Sequence, residues 1–509
     1  MIGFAGGWHP QGLGAGDKAR VERALEALPG WREAAAPVCN TFHVVMSGGA
    51  QPPARGAGGP AIRGDWAVIV AGELDNRLAL ERELIARGVE DEGLTAAEIA
   101  ARVFGRTGFE RGLDRLEGAH SVAAWDGASQ TLWLARDRTG ATEVYLARMP
   151  RGGLLFATAL APLVRARAGV TPNPEAATAF IERGWIPPPM TPWLEIERLE
   201  AGGVRRVDAT GLAPRPRWTA GPSPAGRGGE RPKWARSVDN AVHLALMRAV
   251  SDGPRLALAR SGGVFSEALA AALAPRDLDL QAFHLPLSEP APPDAAVVEA
   301  PSPPPLDGGE LPVGEPAALM LRALFARARA AGAEVVLGGF GGAELFGATL
   351  PPRRRRERLL RHLRPDGDDA NVHHLRHLRA EVLPDGVIAP LSRLARAEGV
   401  LLRAPLADPS LQRMVATVPV DFHREGPRAM FLAGFGARLP PALQAQAHHP
   451  LAVDPAPWSI PSPDELVAVA DWIDDAQLDA ILGLPRPGLE DDQRGFRLRA
   501  WAGWVAAST

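Results

Sequence analysis

From Leu256 to Ala274 the chain reads LALARSGGVFSEALAAALA. An apolar run, two adjacent glycines and a helix-favouring run follow one another with almost nothing between them. This order predicts a strand, a tight turn and a helix. The first N–H groups of such a helix point into the turn, an arrangement that cradles phosphate. A magnesium-dependent phosphate site also needs hard oxygen ligands, usually carboxylates. The middle of this turn instead holds Phe265.

The surrounding pattern extends the prediction. From about residue 234, helices alternate with a few strands. VDNAVHLALMRAV (238–250) is amphipathic at helical spacing, LQAFHLPL (280–287) reads as a strand, and a helix over about 316–331 leads into the strand EVVLGGF (334–340). Alternation of this kind implies a parallel sheet with its ligand site at the carboxyl ends of the strands. Residues 1 to about 210 have another texture. WAVIVAGEL, HSVAAWD, TLWLARD, TEVYLAR and GLLFAT are short apolar runs divided by turn signals such as DGAS and RTGA. They predict a sheet-on-sheet domain with covering helices, one of them over LALERELIARG (78–88). Between the two halves, residues 213–233 are too rich in Pro, Gly and Arg to bury a core. The proline-rich stretch 289–316 is expected to be a surface loop.

A chain of 509 residues has room for two or three domains. Its net charge of −3 supplies no global field for nucleic acid or acidic lipid. A single cysteine, Cys39, excludes an intrachain disulfide and fits a reducing compartment. The start, MIGFAGGWHP, lacks the pattern of a signal peptide, and no apolar run is long enough to span a membrane. A cytoplasmic protein is expected, with neither a membrane nor a nucleic acid as partner. Lysine occurs only at Lys18 and Lys233. Arginine carries nearly all the positive charge, and it does not readily exchange protons with a substrate.

The first half resembles the glutaminase half of asparagine synthetases. GELDN (72–76), RLEGAHSVAAWD (115–126), LWLARDRTG (132–140), LLFATALAPL (154–163) and GWIPPPMTPWLEIERLEAG (184–202) follow that family's order. The second half resembles the synthetase half. SGGVFS stands where the family has a pyrophosphate loop, usually SGGxDS, and GGFGGAELFG (338–347) where it has SGDGGDELFGG. LLRAPLADPSLQRMVATVP (401–419) resembles a later segment. The resemblance implies an α/β plus α+β protein of two domains. Residues 1–210 would be a class-II glutamine amidotransferase-like domain, an Ntn-hydrolase-like αββα sandwich. Residues 211–233 would be the linker. Residues 234–509 would be a nucleotide α-hydrolase (PP-loop) domain with a parallel sheet and many helices. The family hydrolyses glutamine for ammonia and uses ATP to adenylate a carboxylate that becomes an amide.

Residue by residue, the resemblance implies lost chemistry. The family's nucleophile is a cysteine directly after the initiator methionine; here that position is Ile2. Ala71 replaces an amide donor to the oxyanion, and TAAE (95–98) occupies the region where an aspartate grips the glutamine amine. Cys39 reads as a small buried hydrophobe. Ser261, Gly262, Gly263 and Ser266, with Gly339 and Gly341 of the second loop, could still hold phosphate. The family's magnesium aspartates correspond to Phe265 and Ala343, and a further aspartate to Phe340. Glu267 and Glu344 could substitute as ligands, or could be a helix-start residue and a structural one. The family's lysines correspond to Arg428 and His448. No catalytic residue is expected to be intact, with Glu344 and Arg428 the remaining candidates. ATP is a candidate ligand and magnesium is not expected.

Other signals have bland alternatives. RRRRERLLRHLR (353–364) could meet an anionic partner or be a solvated helix face. His373 and His377 could hold a metal but lack a carboxylate on the same segment. RPDGDDAN (364–371) suits a capping turn better than a calcium loop. Trp501 and Trp504 suggest a packing helix or a dimer surface. The sequence therefore points to a degenerate member of the asparagine synthetase superfamily, a scaffold or regulatory pseudoenzyme. Its partner would be an active relative or a precursor peptide, and a homodimer is an option. The alternative is a glutamine-independent, AMP-forming amide synthetase of the β-lactam synthetase or lasso-peptide cyclase type.

Overall fold

The computed structural model describes residues 3–28, 38–41, 43–49, 60–91, 93–167, 169–215, 231–251, 254–276, 278, 280–286, 294–299, 310–347, 370–418, 422, 428–445, 453, 455–459, 462, 467, 469–470, 472–473 and 491–508. Ile2, His448 and the arginine-rich run 353–364 lie outside the described residues, as does the side chain of His373. The chain forms two compact units. One comprises Met1–Thr219, Leu306–Gly314 and Trp458–Thr509; the other comprises Ala220–Pro305 and Glu315–Pro457.

The first unit is built on two six-stranded antiparallel sheets. One contains β1 (Gly3–Trp8), β2 (Val38–Asn40), β3 (Val44–Gly49), β8 (Tyr145–Arg148), β9 (Leu154–Ala157) and β10 (Ile196–Arg198), in the order β10-β8-β9-β1-β3-β2. The other contains β4 (Ala61–Arg63), β5 (Trp66–Gly72), β6 (His120–Asp126), β7 (Thr131–Arg136), β11 (Val204–Asp208) and β12 (Gly211–Arg215), in the order β12-β11-β7-β6-β5-β4. The run WAVIVAG shows why the sheets stack. Ala67, Ile69 and Ala71 face the core shared with Phe4, Val44 and Met46 of the other sheet. Val68 and Val70 face the opposite way, into a core with Leu80 and Leu84 of α2 (Arg77–Ala86) and Ile99 and Val103 of α3 (Ala96–Thr107). A strand covered on both faces loses polar alternation and reads as a continuous apolar run. Helix α1 (Ala15–Glu26) covers the first sheet closely: a Cβ on Gly7 would come within 2.5 Å of Val21. The layers run helix, sheet, sheet, helix, as expected.

The ends of the units depart from the expected boundaries. The C-terminal helix Asp491–Ser508 was expected in the second domain, yet it belongs to the first unit. It packs on α6 (Pro174–Arg183), with Trp501 5.5 Å from Phe180 between ring centroids, and Arg497 donates to the Glu182 carbonyl at 2.9 Å. Trp501, Trp504, Trp472 and Trp193 share one aromatic cluster. Strand β12 and the start of helix α7 (Arg231–Ala249) both fall inside the expected linker 211–233, because β12 completes a sheet edge beside β11.

The second unit contains a parallel sheet of β13 (Leu256–Ala259), β14 (Leu280–His284), β15 (Ala296–Val297), β16 (Val335–Gly338) and β17 (Leu401–Arg403). Its order is β15-β14-β13-β16-β17. The run LALA of β13 is buried throughout, with Leu256 and Leu258 packed beside α7 and α8 (Val264–Leu273). Helix α9 (Pro316–Ala330) leads to β16, which a short helix, α10 (Gly342–Phe346), follows.

Candidate functional site

The strand order reverses between β13 and β16. A crevice outside the carboxyl ends of strands forms where an open sheet changes direction. Both glycine loops emerge at that place, Arg260–Gly263 after β13 and Gly339–Gly341 after β16. Gly262 has φ +80° and Gly341 has φ +83°, values that side-chain-bearing residues rarely adopt. The loops touch: a Cβ on Gly339 would lie 2.8 Å from the Ser266 nitrogen. Ser261, Gly262, Gly263, Ser266, Gly339 and Gly341 are thus brought together.

The first loop is closed on itself. The Ser261 N–H donates to Ser266 Oγ at 3.1 Å, and the two hydroxyls lie 3.0 Å apart. The Gly263 N–H donates to Ser261 Oγ at 3.3 Å, and Ser266 Oγ donates back to the Gly263 carbonyl at 3.0 Å. Phe265 points away from solvent. Its ring is 5.0 Å from Phe431 and 6.2 Å from Phe346, between centroids. A Cβ on Gly342 would meet that ring at 2.7 Å, so the second loop needs glycine there to admit the phenyl group. The ring of Phe340 lies over Gly338, where a Cβ would come within 2.2 Å of it. Ala343 packs against the same core as Phe265.

The neighbouring carboxylates are engaged or desolvated. Glu267 takes two hydrogen bonds from Arg260, one from Nε at 3.2 Å and one from Nη2. Arg260 also pairs with Asp294. The hydrogen bond that Arg260 donates to Glu267 chiefly holds its guanidinium protonated. Glu344 lies in the first turn of α10, where burial raises its carboxyl above the ordinary range. Its carboxylate meets its own backbone N–H, which only partly offsets that burial. Arg428 is buried at the start of the helix Ala429–Phe435, with φ +64°, and burial lowers its pKa. Magnesium requires several oxygen ligands. Two phenyl rings, an alanine methyl, an arginine-neutralised glutamate and a desolvated glutamate do not fit that ion.

In the first unit, β5 ends at Gly72, with φ +95°, where a Cβ would lie 2.1 Å from the Ala119 carbonyl oxygen. Asn76 then braces the turn. Its Nδ2 donates to the Arg115 carbonyl at 2.8 Å, and its Oδ1 accepts from the Glu117 N–H at 3.1 Å. Below it lies a buried ionic network that sequence reasoning missed. Arg136 pairs with Glu143 at 3.0 Å, and Glu143 also meets Arg198 at 3.3 Å. Asp137 accepts from the N–H groups of Thr139 and Thr142, both at 2.9 Å. The run RDRTGATE carried the signal, a dense set of charges between apolar strands.

Residues 45–218 match the family model of the glutamine amidotransferase domain. Over those residues the first unit is similar to a glutamine amidotransferase domain. No curated protein matches the chain. Among solved structures, the chain is similar to glutamine phosphoribosylpyrophosphate amidotransferase from B. subtilis in complex with ADP and GMP. That match has 11% identity over 66% of this chain and 81% of that one, with a TM-score of 0.32. The allosteric regulatory enzyme of purine biosynthesis matches with 11% identity over 68% and 77%, at 0.30. A glutamine aminotransferase class-II domain protein from Silicibacter pomeroyi matches with 14% identity over 42% and 90%, at 0.24. At such TM-scores these neighbours add nothing to the family match. Within the amidotransferase domain, Ala71 is buried between the sheets. Cys39 is buried too, and desolvation pushes its thiol up to about 11. Thr95 and Glu98 form a capping box that starts α3, which gives TAAE a local structural purpose. No described helix is long and apolar enough to cross a membrane.

Proposed function

We propose that this chain is an asparagine-synthetase-like pseudoenzyme, a scaffold or regulatory partner in amide or peptide biosynthesis. It would act in the cytoplasm beside an active relative or a precursor peptide. The amidotransferase domain supports the first half of this reading. The parallel sheet with two glycine loops at its switch point supports a PP-loop domain for the second. One observation carries the loss of chemistry: Phe265 sits in the hydrophobic core at the position of a family magnesium ligand, packed against Phe346 and Phe431. Adenylation without a metal lacks its main electrostatic support, and loss of even one oriented group costs on the order of a hundredfold to a thousandfold. Paired assays of ammonia release from glutamine and of pyrophosphate release from ATP test the proposal. Neither product should exceed the buffer rate with any carboxylate offered; sustained pyrophosphate release would overturn it.

Glu344 favours a second reading, an AMP-forming, glutamine-independent amide synthetase. It is a carboxyl group in the first turn after the second loop. Its raised pKa weighs against a metal-binding part, since burial disfavours the charged carboxylate that a metal ion needs.

A further inference from the structure

A cavity of about 540 Å³ opens in the amidotransferase domain at the edge where β10 joins β8. This is within the range of roughly 300–1,000 Å³ common for small-molecule sites. One of its walls, Leu154, pairs with Trp8 at the end of β1. The position after Met1, which the family resemblance marks for the nucleophile, precedes the opposite end of that strand. At about 3.3 Å per residue the two ends are about 17 Å apart, so the cavity is a separate place.

The strand register sets its chemistry. Glu197 pairs with Leu146, and Arg148 pairs with Leu154. All four side chains therefore project from one face of the sheet. Arg148 and Glu197 are diagonal neighbours on adjacent strands, at a typical separation of about 7–8 Å. Among the described residues, neither side chain has a hydrogen-bond or ion-pair partner. The other charged side chains around the cavity each make a polar contact, although Arg167 Nε has none. Arg20 pairs with Asp17 at 3.2 Å, Arg167 donates to the Arg148 carbonyl at 2.8 Å, and Glu195 accepts from the backbone and hydroxyl of Thr171 at 2.9 and 2.7 Å. Arg148 and Glu197 thus stand as a facing cation and anion above an apolar wall, with Arg167 as a further cation at the side. Leu146 and Leu154 are buried in that wall, Leu212 comes from the facing sheet, and Leu194 stands at the rim, 58% exposed.

We propose that this cavity binds a zwitterion with an apolar body, an apolar α-amino acid either free or as a dipeptide. Its carboxylate would meet Arg148, its ammonium group Glu197, and its side chain the leucine wall. A simple anion would leave Glu197 facing it, and a simple cation would leave Arg148. Calorimetric titration of L-leucine and of Leu-Leu into the full chain tests the proposal and separates the two sources. At least one should bind with a millimolar or tighter Kd. 4-Methylpentanoate and 3-methylbutylamine, each lacking one charge, should bind at least tenfold more weakly, as should glutamine. Arg148→Ala and Glu197→Ala should each weaken binding at least tenfold, while the paired Arg148→Glu and Glu197→Arg exchange should restore part of it. Both residues are exposed, and circular dichroism checks that the variants fold. No binding of either ligand at millimolar concentration, equal binding of the acid alone, or indifference to both substitutions would overturn the proposal. These residues are not those of the glycine loops, so this result and the pyrophosphate assay can fail independently.

Discussion

A carboxyl group removed from water holds its proton more tightly, and Glu344 is such a group. Its folded pKa lies above the ordinary 4.5. The stability linked to it is fully present below 4.5 and is lost as pH rises through the folded value. Glu344→Gln keeps the shape and removes the ionisation. Thermal melts across pH should therefore show the variant more stable than the parent at neutral pH, with a flatter pH dependence. A parent curve unchanged by the substitution would contradict the burial argument. His120 behaves in the opposite sense. Burial lowers its pKa from 6.5 to about 4, with Asp137 opposing the shift. Stability linked to the neutral ring is present above 6.5 and is lost as pH falls through about 4, an effect of about 3 kcal/mol. NMR titration of the imidazole should show it neutral down to about pH 4. Neither environment was legible in the sequence, because a lone histidine or glutamate carries no mark of what the fold packs around it. RDRTGATE marks Arg136 and Glu143 as a charged run between strands, but Arg198, 55 residues after Glu143, carries no sign that it joins them. By contrast, Cys39 reads from the sequence as a small buried hydrophobe, and it is buried.

The strands and helices were legible where hydrophobic period and turn chemistry agreed. LALA followed by SGG gave β13 and α8, and the apolar run of β5 lies between a partner sheet and two helices. Thr95 and Glu98 could have been read as a helix start from their spacing alone. The placement of the last helix could not, because its partner, α6, is more than 300 residues earlier. Arg497 ties the two by its hydrogen bond to the Glu182 carbonyl. Arg497→Ala should cost about 2–3 kcal/mol, as a charged donor is lost and buried carbonyls are left unpaired. Urea denaturation followed by tryptophan fluorescence would report it. In the second unit, Phe265→Ala should cost about 3–5 kcal/mol, the usual range for a phenylalanine removed from a core. A cost below 1 kcal/mol would mean that the ring is not the structural element its contacts with Phe346 and Phe431 imply.

At the scale of the whole molecule, the proposed function holds that two architectures have been kept while the groups that would give them chemistry have been replaced. The glycines that shape the loops at the β13–β16 crevice remain, including Gly262 and Gly341 in left-handed conformations. In that proposal the positions of the ion-anchoring acids are those of Phe265, Phe340 and Ala343, which carry only hydrocarbon, and Glu267 is held by Arg260. Calorimetric titration of ATP with and without magnesium, into the parent chain and into the Phe265→Asp, Phe340→Asp, Ala343→Asp triple variant, addresses this most directly. The parent should show no magnesium-dependent binding, and the triple variant should gain some. Tight magnesium-dependent ATP binding by the parent chain would contradict the account.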